Sequence, residues 1–157
     1  MTPAIDAAKK AHVAFATHTY THDESAASYG LEAAEKLGVT PECIFKTLVV
    51  LLDGKRLAVG IVPVESQLGL KQLARVAGAK KAAMAPPAEV ERATGYVLGG
   101  VSPLGQKKRL PTFIDTSAEA LDEVYVSAGK RGLEITLAPA DLAALTAATF
   151  VPIAAAG

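Results

Sequence analysis

The chain has no tryptophan, one cysteine, no apolar run of about 18 residues and no net charge, and each shortage excludes something. A lone Cys43 closes no internal disulfide and cannot found a cysteine-based zinc site. Without a long apolar run there is no transmembrane helix. The stretch MTPAIDAAKKAH at the start lacks the apolar region of a signal peptide, so a soluble, cytoplasmic protein is expected. With four tyrosines, four phenylalanines and no tryptophan, none clustered in a basic stretch, the stacking platform of a sequence-specific single-strand binder is missing. His12, His18 and His22 come with no cysteine or carboxylate at metal-ligand spacing, so no metal and no other cofactor is assigned.

What remains is a chain of 157 residues, 50% hydrophobic and 20% charged, enough for one globular domain spanning 1–157 with a real core. Charge is uneven along it. From Lys71 to Arg109 eight basic residues face only Glu89 and Glu91, a local excess of six. That asymmetry suits a polyanion docked on one face better than a protein coating duplex nucleic acid.

The organising stretch is Thr94 to Pro111, TGYVLGGVSPLGQKKRLP. Gly99, Gly100 and Gly105 permit positive φ and close approach of a ligand to backbone amides. Lys107, Lys108 and Arg109 then add three adjacent cations, so the segment offers donors and charge to an anion. Gln106 stands where a P-loop needs its phosphate-binding lysine, which removes a Walker A reading. Two readings stay open: an anion-binding loop, or a surface turn with solvated cations. The stretch Ser127 to Gly132, SAGKRG, repeats the theme with Lys130 and Arg131 and leads to Glu134.

Around these loops the pattern predicts an α+β fold with a mixed, largely antiparallel sheet. Thr2 and Pro3 open a helix running to about Ala11. Val13 to Tyr20 alternates like a strand, followed by a polar bend at 22–25. Ser28 to Leu37 reads as a helix closed by Gly38, and Thr40-Pro41 begins a short helical turn. Phe45 to Leu52 (FKTLVVLL) is the most apolar strand, and Asp53-Gly54 predicts a two-residue hairpin into Arg56 to Val62. A helix over Leu70 to Ala77 ends at Gly78, and another spans Pro87 to Ala93. Strands are predicted at Thr112 to Asp115, Val124 to Ser127 and Leu133 to Leu137, and a last helix from Pro139 to about Ala147.

Lys46 sits near the start of the apolar strand, in line with Leu48 and Val50, where its amine is drawn toward the interior. It is either a partly desolvated cation able to hold a phosphate or polarise a carbonyl, or a lysine snorkelling at a strand end. Cys43 has no base nearby in sequence and reads as a small packed residue. Ser102 lacks the G-x-S-x-G setting of a nucleophile elbow. Donors, cations and hydroxyls without a triad fit a reaction on an already activated substrate such as an ester.

Four segments together carry a resemblance: HTYTHD (His18 to Asp23), Lys46-Thr47, GGVSPLGQKKRLPT (Gly99 to Thr112) and YVSAGKRG (Tyr125 to Gly132). In this order over nearly the whole chain, they resemble the YbaK family of bacterial Cys-tRNA(Pro) deacylases, related to the editing domain of prolyl-tRNA synthetases. The resemblance implies a barrel-like sheet and a freestanding enzyme that removes cysteine mischarged on proline tRNA, needs no cofactor, and works in transient association with prolyl-tRNA synthetase. It implies no protein nucleophile, the thiol of the bound cysteine attacking its own ester. By position, Lys46, Gly99 and Gly100 would be catalytic and Tyr20, Tyr29, Thr47, Ser127 and Glu134 would bind substrate. Lys107, Lys108, Arg109, Lys130 and Arg131 are expected to meet the tRNA. Tyr29 stands where the family commonly has Phe, and Glu134 where Asp is usual; both bear on amino-acid preference. Rival readings are a deacylase for alanine or another small amino acid, and a non-catalytic tRNA- or synthetase-binding module.

Overall fold

The computed structural model describes residues 1–23 and 29–156. Helix α1 (Pro3–Lys10) is capped by Thr2, whose hydroxyl accepts from the Ile5 amide, as a β-region threonine before proline should. β1 (Phe15–Thr19) follows. α2 (Tyr29–Leu37) ends where Gly38 turns to a φ of 69°; the expected start at Ser28 and part of the preceding bend lie outside the described residues. A single 3-10 turn at Pro41–Cys43 leads into β2 (Phe45–Leu52), which runs antiparallel to β3 (Arg56–Pro63) along its whole length. The connection has three residues, not two: Leu52 pairs with Arg56, and both Asp53 and Gly54 take positive φ.

Next come β4 (Gln67–Leu68), α3 (Leu70–Val76), β5 (Ala82–Met84) and α4 (Pro87–Thr94). After the glycine loop the chain forms β6 (Thr112–Asp115), β7 (Val124–Lys130), β8 (Leu133–Leu137), α5 (Pro139–Thr146), β9 (Thr149–Val151) and β10 (Ala154–Ala155). Strands order as β5-β2-β3-β6-β9 in one sheet, β1-β8-β7 in a second and β10-β4 in a third. Pairing is antiparallel except for β3 with β6 and β6 with β9.

The sheets are open, so the barrel-like closure implied by the resemblance is corrected. Between the two larger sheets the ladder shrinks to one bridge, Ile44 to Tyr125, and β5 and β9 remain edges. The five-stranded sheet is covered on both faces, which is why FKTLVVLL reads as continuous apolar sequence. Phe45, Val49 and Ile61 pack with Val126, Ile135 and Leu137 of the three-stranded sheet. On the other face Val50, Leu52 and Val62 pack with Leu73 of α3 and Ile153. A small third cluster, Ala33, Ala34, Ile44 and Val64, fixes α2 over the entry to β2. Among the described residues no helix is long and apolar enough to cross a membrane.

Candidate active site

The two larger sheets part at the start of β2 and leave a cavity of about 440 Å³. Its wall is assembled from distant parts of the chain. β2 gives Lys46 and Thr47, the end of β1 leads to Tyr20, β7 and β8 give Ser127 and Glu134, their turn gives Arg131, and the glycine loop gives Leu98, Gly99 and Val101. Gly30, Ile44, Phe45, Leu48 and Val64 complete it.

Gly30 matters for a packing reason that sequence did not show. A Cβ there would lie 2.1 Å from Val64 Cγ1, so α2 can close on the end of β3 only without a side chain at that position.

Two ionisable groups of this cavity, Lys46 and Glu134, are perturbed by burial. Desolvation lowers the pKa of Lys46 from 10.5, since taking the ammonium partly out of water disfavours the charged form. Glu134, 7% exposed and with a carboxyl that makes no hydrogen bond to a described residue, is pushed up by burial to about 8. Near neutral pH it is therefore largely a neutral acid. The Tyr20 phenol is raised by its own burial and then by the charges of Glu134 and Glu32. With Arg131 beside them, the polar wall has a net positive character.

Two features suit a ligand carbonyl. The Thr47 hydroxyl is buried with no hydrogen-bond partner among the described residues, a state costing about 1–3 kcal/mol that a bound ligand can relieve. Gly99 holds a φ of 92°, and the amides of Leu98, Gly99 and Val101 make no hydrogen bond to described residues. Unbonded backbone amides and an ammonium lining one cavity are the kinds of group an oxyanion site uses.

Gly100 is placed differently from its neighbour. It is buried, donates to the Val97 carbonyl at 3.0 Å, and a Cβ on it would meet Lys130 Cα at 2.8 Å. Its glycine identity is explained by contact with the β7–β8 turn, behind the cavity wall. Lys107, Lys108, Arg109 and Lys130 are exposed and do not line the cavity. Tyr29 opens α2, and its side chain lies outside the described residues. Half-buried Cys43 contacts the Thr40 hydroxyl at 3.5 Å and is not in the wall. His18 bonds Thr136 Oγ1 at 3.1 Å and packs on the Tyr125 ring.

A buried carboxylate, Glu32, holds one side of the cavity together and was not singled out from sequence. Oε2 accepts from the Asp23 amide at 2.6 Å and lies 3.4 Å from Lys36 Nζ, while Oε1 meets His22 Nδ1 at 3.1 Å and Arg131 Nη2 at 3.4 Å. Burial alone would raise its pKa, but the bonds from Asp23, His22 and Lys36 outweigh this and bring it to about 2. Only the i,i+4 spacing to Lys36 is visible in sequence; Arg131 is 99 positions away.

The model of the aminoacyl-tRNA editing domain matches residues 23–145. Over 120 residues, 76% of this chain and 73% of the relative, the sequence is 42% identical to EbsC of Enterococcus faecalis, a candidate Cys-tRNA(Pro)/Cys-tRNA(Cys) deacylase. It is 32% identical over 100 residues, 61% of this chain and 60% of the relative, to the multifunctional Ser/Thr-tRNA deacylase ProXp-y of Escherichia coli. The crystal structure of a candidate trans-editing enzyme for prolyl-tRNA synthetase superposes with a TM-score of 0.80 at 25% identity, covering 96% of this chain and 92% of that one. With a domain match over most of its length and the fold of a candidate trans-editing enzyme, the chain belongs to the aminoacyl-tRNA editing domain family.

Proposed function

We propose that the protein is an aminoacyl-tRNA deacylase whose substrate is Cys-tRNA(Pro), and that the substrate's own thiol is the nucleophile. The observation that carries this reading is the cavity wall: a desolvated amine, free amides and hydroxyls, with no cysteine or histidine among its described residues. Such a wall stabilises charge and positions a substrate but supplies no obvious attacking group.

In this reading the cysteine sulfur attacks its ester carbonyl carbon, Lys46 and the glycine-loop amides stabilise the oxyanion, and the C–O bond to the terminal ribose breaks. The thiol proton passes to the departing ribose oxygen, giving tRNA with a free hydroxyl and a cysteine thiolactone that water then opens. Holding thiol and ester together supplies several kcal/mol of the barrier, since effective molarities for oriented groups are large. Tyr20, Thr47, Ser127 and Glu134 contact the aminoacyl group. Gly100 supports the loop from behind, while Lys107, Lys108, Arg109, Lys130 and Arg131 meet tRNA phosphates. A domain this small has little surface for reading a whole tRNA, so selection of proline tRNA falls to prolyl-tRNA synthetase in a transient complex.

The relative acting on Ser- and Thr-tRNA makes hydroxyl amino acids the competing substrates. A deacylation panel offering Cys, Ser, Ala and Pro esters of proline tRNA tests the reading. Selective loss of the cysteine ester is expected; preference for Ser or Ala would overturn the specificity, and hydrolysis of none would favour a binding module.

A further inference from the structure

At the opposite end of β2 from Lys46 lies a second cationic surface. Asp53, in the turn between β2 and β3, accepts from the Lys80 amide at 3.0 Å and the Lys81 amide at 3.0 Å, and its own amide donates to the Lys81 carbonyl at 2.9 Å. Arg56 Nη2 donates to the Ala77 carbonyl at 3.4 Å. The hairpin tip and the α3–β5 connection are thereby stitched together. Four exposed cations, Lys55, Arg56, Lys80 and Lys81, are held side by side. None of the four makes an ion pair to a described residue. The one local carboxylate, Asp53, is kept ionised, first by the Lys81 amide and further by the Lys80 amide and the charges of Arg56 and Lys80.

We infer that this end of the five-stranded sheet is an RNA-contact surface that grips the phosphate backbone of the acceptor duplex while the 3′ end occupies the cavity. The identity of the RNA rests on the proposed editing function; the attraction of this cationic surface for phosphates does not. Seven residues of strand at ~3.3 Å each put the surface about 23 Å from Lys46, so one RNA can reach both. Protein interfaces deplete lysine from their cores, whereas unpaired lysines and arginines on a fixed backbone are what a row of phosphates requires.

The test is binding of an uncharged RNA hairpin, carrying the acceptor stem of proline tRNA with its CCA end, measured by anisotropy across a potassium chloride series. For Lys55→Gln/Arg56→Gln/Lys80→Gln/Lys81→Gln the log–log salt slope should fall by about 3, at roughly 0.7–0.9 per lost contact, and affinity near 0.15 M salt should drop about tenfold or more. Lys80→Gln/Lys81→Gln alone should give about half the slope change, which covers poor folding of the fourfold variant. Hydrolysis of a cysteinyl ester on a CCA trinucleotide should be unchanged in both. An unaltered slope and affinity would overturn the inference, as would weakened binding to prolyl-tRNA synthetase with RNA binding intact. Because the hairpin carries no ester, the binding result stands apart from the editing reading, which fails instead if wild-type protein leaves the trinucleotide ester intact.

Discussion

Replacing Glu134 by glutamine should stabilise the protein, by an amount that grows with pH. The carboxyl is 7% exposed, makes no hydrogen bond to a described residue, and titrates at about 8 in the fold against an ordinary 4.5. A raised folded-state pKa means its favourable contribution is complete below 4.5 and is lost as pH rises toward 8, because the unfolded chain ionises first. The interval is about 3.5 pH units. At ~1.36 kcal/mol per unit the loss approaches roughly 5 kcal/mol above pH 8 and is about 3 kcal/mol at pH 7. Glutamine fills the same space and does not ionise. Urea denaturation of both proteins from pH 4 to 9 should therefore give equal stabilities near pH 4, curves that separate steadily, and a constant gap above pH 8. Parallel curves across that range would refute the claim that a buried, unpaired carboxyl lies in the cavity wall. Deacylation by the variant should fall while stability rises, the signature of a site held at the expense of the fold.

Lys46→Ala should lower kcat about a hundredfold, as removal of one group stabilising an oxyanion commonly does, with an unchanged circular dichroism spectrum. Gly100→Ala should reduce both stability and turnover, because its Cβ meets the Lys130 backbone at 2.8 Å. Neutralising Lys107 and Lys108 should mainly raise KM for tRNA; thermal melts and steady-state kinetics separate the two cases. Glu32→Gln should lower Tm at neutral pH, and the deficit should shrink as pH falls from about 4.5 toward 2, where the native carboxylate takes up its proton.

The parts of the fold legible in sequence are those whose signals are local. Proline and threonine at helix starts, Gly38 and Gly78 after helix ends, and the long apolar run of β2 all marked elements that the structure contains. The two- and three-residue strands β4, β5, β9 and β10 carry no periodicity, since they become strands only by pairing with β10, β2, β6 and β4. Site residues show the same division. Tyr20, Lys46, Thr47, Gly99, Ser127, Arg131 and Glu134 meet in one wall, whereas adjacent Gly99 and Gly100, alike in sequence, face a cavity and a backbone respectively. Glu32 was illegible because its importance comes from partners brought together by folding, and Val64 and Gly30 because their contact is steric.

The central claim is that the substrate supplies the nucleophile, and the most direct test compares Cys-tRNA(Pro) with Ser-tRNA(Pro) under single-turnover conditions while trapping the first product. The thiol is far the better internal nucleophile, so the cysteine ester should be cleaved at least about a hundredfold faster, Cys43→Ser should leave that rate intact, and a cysteine thiolactone should be captured before free cysteine appears. Comparable rates for the two esters, with free amino acid as the first product of both, would contradict the account and assign the attack to a water held by the protein.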